Sequence, residues 1–482
     1  MRAPRQGQVD VELVETVGDD VAPEAEPGAD WRELVRRVPG RAWAVTATVV
    51  ALGVGVVGAV EWRADRAQAA RLAGTDGLTV SLAEPLAEVW RAPRQGVVGV
   101  VGDVAVLHGG TNQGVLGVGV RDGETRWEQP VGGAGWCWLE RLGPDDRRFG
   151  PWSAPPARLE AGEAVLGCAD SRSGGIDEQG TEVTVLDPAE GGVLRRFEVS
   201  GPGTGSTSDV DDGVASLGLD DEGRVVAGRW DLLTGERTWA YVGPRVDLDS
   251  QGVGSSISGD TMTVASGAVS VTLDAWTGEV VGTEGSTRPV VQELDRLPLA
   301  DGGVAVSTAI GEERFEIVVQ DEDGEQRFLT GGYALRPVAD DGSAPQTLLL
   351  SSPKRPGIMA VDARTGDELW RSRVSSWQVA VLAGLVILRD EQRLTALDAR
   401  TGATVWTRED PAPETGVRFV TDGRVLLMPV RGDGGTDLLA RVAETGRELW
   451  RAPAPVAEGY LEALPDGRVL VIGSGETVVL AP

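Results

Sequence analysis

At 482 residues, with 74 Asp+Glu against 45 Lys+Arg, the chain carries a formal charge of −29. That balance excludes an ordinary nucleic-acid surface, which needs clustered cations to neutralise phosphates. The 67 glycines and 27 prolines, beside 41% apolar residues, exclude wholesale disorder and point to many short strands joined by turns.

Residues 1–41 read as an acidic, disordered cytoplasmic tail that ends in a basic juxtamembrane helix. Asp10, Glu12, Glu15, Asp19, Asp20, Glu24, Glu26 and Asp30 stand among few large apolar groups, too few to offset the entropy of ordering. Further on, Trp31, Leu34, Val35 and Val38 share one helical face opposite arginines, the pattern of an interfacial helix. Residues 42–61 are expected to form a transmembrane helix. The run from Ala42 to Val60 holds no charge and, as a helix, covers roughly 28 Å, about the hydrocarbon thickness. Arg32, Arg36, Arg37 and Arg41 crowd its N-terminal side and place that end in the cytoplasm, while Trp43 and Trp62 sit at the interfaces. A cleaved signal peptide fits less well, because the preceding region is too long and too acidic. Ala47, Ala51, Gly55 and Ala59 form a small-residue stripe that suits a homodimer through this helix, although Ala- and Gly-rich spans also produce such stripes by chance. The formal GxGxxG of Gly53 to Gly58 follows no strand and lies in lipid, which excludes a dinucleotide site. Residues 62–81 read as a linker, and everything beyond lies outside the cytoplasm.

Two cysteines occur, Cys137 and Cys168, both in that outer part. An even pair in an oxidising compartment reads as one disulfide, the alternative being two buried thiols.

The remainder of the chain repeats. Residues 360–370 (AVDARTGDELW), 396–406 (ALDARTGATVW) and 229–239 (RWDLLTGERTW) align on a glycine, with Asp four residues before it and Trp four after. Asp231, Asp274, Asp362 and Asp398 mark the strand ends, and Gly235, Gly278, Gly366, Gly402 and Gly446 the turns. Trp127, Trp239, Trp370, Trp406 and Trp450 open the next strands, with weaker copies at Arg195, Gly282 and Phe328. The spacing is mostly 36 to 46 residues, which fits one four-stranded blade per repeat. The physics agrees: the Asp carboxylate accepts turn amides, Gly takes the positive φ, and the indole fills the gap between sheets. At the ends, PLAEVWRAP (residues 85–93) matches RELWRAP (residues 447–453), so Trp90 is expected to begin the strand that completes the last blade. Closing the ring removes exposed sheet edges.

These motifs resemble the tryptophan-docking repeat of the PQQ-like, or quinoprotein-type, β-propeller family, over roughly residues 82–482. The resemblance implies an all-β propeller in which each Trp packs on the neighbouring blade's turn. Counting every copy gives nine blades. The family's usual number and the degenerate copies at 282 and 328 set the expectation at eight, with seven to nine open.

For enzymes of this family the resemblance implies PQQ, calcium and vicinal cysteines. Here there is no Cys-Cys pair, and Asn112 is the only asparagine. His108, the sole histidine, would have to serve any triad, and an ordinary loop role suits it better. The formal SxxK at Ser351 to Lys354 sits in a polar loop, not at a helix start. Asp209 to Gly213 and Asp321 to Gly324 miss the ligand spacing of a calcium loop and read as acidic turns. The expectation is therefore a membrane-anchored binding or scaffolding propeller without catalytic, cofactor or metal residues. Its partner would be an envelope protein, peptide or glycan. The rivals are a PQQ-dependent oxidoreductase and a transmembrane sensor.

Overall fold

The computed structural model describes residues from 71 to 482 with interruptions, the longest at 142–157 and 171–180. The expected tail, the expected span at 42–61 and its small-residue stripe lie outside the described residues. Among the described residues, no helix is long and apolar enough to cross a membrane.

The described chain is all β. Nine antiparallel sheets follow one another, blade 1 at 97–129, blade 2 at 134–199, blade 3 at 204–245, blade 4 at 254–283 and blade 5 at 291–331. Blade 6 spans 333–372, blade 7 spans 378–409 and blade 8 spans 420–453. Blade 9 takes three strands from 459–481 and its fourth, Ala87–Ala92, from the start of the ring. The number is nine rather than the expected eight, because both degenerate copies are complete sheets. Alternating apolar residues and a tight turn suffice to make a blade, and the docking indole is not needed for that.

In each blade the motif strand lies outermost, and first strands touch one another between blades 1 and 2, 3 and 4, 4 and 5, and 8 and 9. Blade 9 closes the ring by pairing Trp90 with Val479 and Arg91 with Val478. The segment before it runs under blades 8 and 9: Thr79 N–H donates to Thr421 O (2.8 Å), and Leu82 N–H to the Asp422 carboxylate (2.8 Å). The core is distributed between blades. The 7/8 interface, for example, holds Ile387, Trp406, Phe419, Met428 and Leu439 in one cluster.

The long connection in blade 2 is used to join blades. Arg158–Leu159 leaves that blade and pairs in parallel with Val100 and Val101, the inner strand of blade 1. Cys137 and Cys168 face each other across the first two strands of blade 2, their Cα atoms 4.2 Å apart, and are disulfide-bonded.

Candidate functional site

The turn that precedes each outer strand builds a seat. Asp398 Oδ1 accepts the backbone N–H of Thr401 (2.8 Å) and of Arg400 (3.2 Å), and the Thr401 hydroxyl (2.7 Å). The Thr401 hydroxyl first, and these amides after it, hold the Asp398 carboxyl below the usual carboxylate range. Asp362 accepts from Arg364 and Thr365, Asp274 from Trp276 and Thr277, and Asp231 from Thr234. Gly402 then turns the chain at φ +68, which a residue without a side chain adopts freely, and a Cβ there would meet the Trp370 ring at 2.7 Å.

A ring from the preceding blade covers each such glycine. Trp90 lies on Gly123, Trp127 on Gly191, Trp239 on Gly278, Trp370 on Gly402 and Trp406 on Gly446. Each indole N–H donates to the carbonyl three residues before that glycine, from 2.7 Å (Trp370 to Ala399) to 3.2 Å (Trp127 to Pro188). Trp450 faces blade 9, where the chain ends leave no such turn, and donates instead to Leu82 O at 2.8 Å. Two seats hold a phenylalanine, Phe197 on Gly235 and Phe328 on Gly366. Phe197, not the aligned Arg195, is the docking residue of blade 2, because it lies two positions further along the same face. Gly324 is uncovered, since blade 4 carries Gly282 where a ring would stand.

The ladders place the 7/8 and 5/6 interfaces in one register: Ala396 opposes Trp406 as Val319 opposes Phe328, and Ala440 opposes Trp450 as Ala360 opposes Trp370. Gly332 N–H donates to Phe315 O just as Asp410 N–H donates to Gln392 O. At 7/8 the space beside Trp406 is filled by charge. Arg441 binds buried Asp410 in a fork, at 2.7 and 2.6 Å, and also donates to Gly446 O. Arg408 lies across the same turn and donates to Gly446 O and Thr445 O, both at 3.1 Å. Arg389, fully buried, donates to Pro429 O at 2.6 Å, and burial lowers its guanidinium to about 10 despite Asp410 and Asp390 nearby.

At 5/6 every one of those side chains is missing. Thr330 replaces Arg408, Gly332 replaces Asp410, Val361 replaces Arg441 and Ser307 replaces Arg389. What remains is an open cleft of about 460 Å³. Its floor is Phe315, Leu350, Met359 and Val361, and glycines 331, 332, 357 and 366 wall it. Arg314, Glu368 and Arg371 stand at the rim with Ser351 and Ser352. The cause is local. Only Gly332 separates the outer strand of blade 5 from the inner strand of blade 6, and that link needs φ +122. A Cβ there would strike Ser351 O at 2.5 Å, so this position cannot carry a filling side chain. The 7/8 link is longer, which frees Asp410 to take an ordinary conformation.

The other sequence candidates fall elsewhere. Ser351 and Ser352 line the cleft, whereas Lys354 lies outside the described residues. His108 ends the second strand of blade 1 opposite Val115. Asp321 caps its own hairpin through Asp323 and Glu325 amides. On the inner strands, Arg418 pairs with Glu462 at 2.9 Å and lies over Tyr460, and burial raises the Glu462 carboxyl above its usual range. No residue pattern announced the cleft; the signal was present as small residues at 330 to 332, but only register gives it meaning.

Among the described residues, the cysteines and the arginines of the 7/8 interface do not offer PQQ a vicinal cysteine pair or a gathered set of cations. The cysteines stand on separate strands with a sequence separation of 31, so they form no vicinal pair. The buried guanidinium groups of Arg389 and Arg441 are engaged with Pro429 O and Asp410 between blades, not gathered to hold three carboxylates.

Residues 334–462 match the family described as outer membrane protein assembly factor BamB. Among solved structures, BamB from Moraxella catarrhalis is 17% identical, with 83% of this chain and 100% of that chain covered and a TM-score of 0.40. A europium-containing methanol dehydrogenase is 14% identical over 82% of this chain and 93% of its own, with a TM-score of 0.40. Quinohemoprotein alcohol dehydrogenase from Comamonas testosteroni is 15% identical over 82% and 76%, with a TM-score of 0.37. No curated protein matches the chain.

Proposed function

We propose that the chain, a nine-bladed propeller whose residues 334–462 match the BamB family model, is a non-enzymatic binding or scaffolding module of the PQQ-like kind. A single helix at residues 42–61 anchors it, and the ring is held outside the cytoplasm to engage an envelope protein or peptide. The observation that carries this reading is the cleft between blades 5 and 6. It sets apolar side chains beside about as much polar surface, with Arg314, Glu368, Arg371 and two serines, which suits a polar peptide group more than an apolar ligand. The disulfide supports the compartment, since such bonds persist where conditions are oxidising. The family match to an assembly factor of the outer membrane supports a protein partner.

Purification of the full chain from membranes in mild detergent tests the proposal. A partner retained in stoichiometric amount, and released when the cleft is filled by substitution, is the expected result. Turnover of an alcohol after reconstitution with PQQ and calcium would instead establish the oxidoreductase reading.

A further inference from the structure

We propose that the 5/6 cleft is the receptor for an arginine side chain presented by the partner protein; this rests on the binding role above and names the chemistry of what is bound. The molecule itself shows what such a seat accepts. At 7/8, Arg408 lies across the turn of the next blade and gives its guanidinium N–H groups to the carbonyls of Thr445 and Gly446. The corresponding carbonyls at 5/6 belong to Thr365 and Gly366, and the side chain in the corresponding place is Thr330, too short to reach them. Gly366 lines the cleft, so its turn borders the open space. Glu368 stands where Glu448 stands at 7/8, adding a carboxylate at the rim.

The rest of the cleft suits the same occupant. An arginine has a methylene stem that packs on apolar surface and a planar head with five donors. Leu350, Met359 and Val361 supply the surface. The two arginines at the rim do not oppose a cation outright, because each is held by a carboxylate: Arg371 by Glu368 at 2.8 Å, and Arg314 by Glu316. The 7/8 seat likewise holds Arg408 beside Arg441 on one shared carbonyl, that of Gly446. A formal charge of −29 over the chain draws basic segments toward it from a distance.

The test uses the full chain in detergent and ligand-observed NMR with two probes, acetyl-arginine amide and its uncharged isostere acetyl-citrulline amide. The arginine probe is expected to bind about tenfold more tightly, the ratio for one charge-assisted hydrogen bond. Thr330→Arg supplies the guanidinium from within and should abolish binding while the melting temperature stays at or above that of the unsubstituted chain. Glu368→Gln, which leaves the cleft open, should weaken it severalfold. Equal affinity for the two probes, or binding that survives Thr330→Arg in a folded protein, would overturn the inference. The two proposals fail separately. A partner still captured by Thr330→Arg sinks the arginine seat and the placing of the partner in this cleft, while the capture itself upholds a binding role for the ring. Probe binding that obeys the substitutions supports the seat, even where no partner is captured and the scaffold role falls.

Discussion

Between blades 7 and 8 an indole, three guanidinium groups and a buried carboxylate fill the gap. Between blades 5 and 6, built on the same register, a phenyl ring stands beside a cleft of about 460 Å³. The difference shows that the blade and the seat are separable. Strands and turn make the sheet at both places, whereas the side chains facing the gap decide whether that gap is closed for stability or left open to a ligand.

The largest effect expected at the closed interface comes from Asp410→Ala. It leaves Arg441 buried without its fork partner and Arg389 with Asp390 as its remaining nearby anion, and should cost about 3–5 kcal/mol in denaturant unfolding. A loss under about 1 kcal/mol would show that water reaches the gap and that the ion pair is a surface one. A reciprocal exchange sharpens the comparison. Trp406→Phe removes the bond to Ala443 O and should cost about 1–2 kcal/mol, while Phe328→Trp places an N–H near Ala363 O and should gain about 1 kcal/mol. Thermal unfolding of the two variants, one down and one up, is the measurement; two losses would mean the seats differ in backbone as well as in side chain.

The smallest effect is electrostatic. The Glu462 carboxyl is raised by burial, so the folded state holds its proton to higher pH than the unfolded chain does. Stability should therefore decline as pH rises from about 4.5 through the raised folded value. Glu462→Gln should flatten part of that slope. Asp340, raised in the same direction by burial, retains the remainder. Unfolding free energies measured across this window that rise with pH, or that are unaffected by the substitution, would contradict the assignment.

Much of the ring was legible in advance because its marks are chemical. Asp, Gly and Trp at fixed offsets state a strand end, a turn and a docking ring, and the repeated WRAP placed Trp90 in the closing blade, where it pairs with Val479. The blade number was misjudged because a sheet needs no indole: blade 4, with Gly282, leaves no mark except its turn at Gly278. Phe197 was missed for a related reason, since the ring had moved two residues along the same face from Arg195. The cleft was not legible, because it consists of residues that are small in one blade opposite residues that are apolar in another. Only the pairing of Gly332 with Phe315 and of Val361 with Glu368 brings those positions to one gap.

Native-state hydrogen exchange of the two outer strands tests most directly whether side chains in the gap, and not the blades themselves, set the rigidity of each interface. The amides of Thr404–Glu409, sealed by Trp406 and Arg408, should exchange only through openings close to global unfolding. Those of Gln326–Gly331, beside the cleft, should exchange through local openings of lower free energy. Equal protection of the two strands, or greater protection of Gln326–Gly331, would contradict the account.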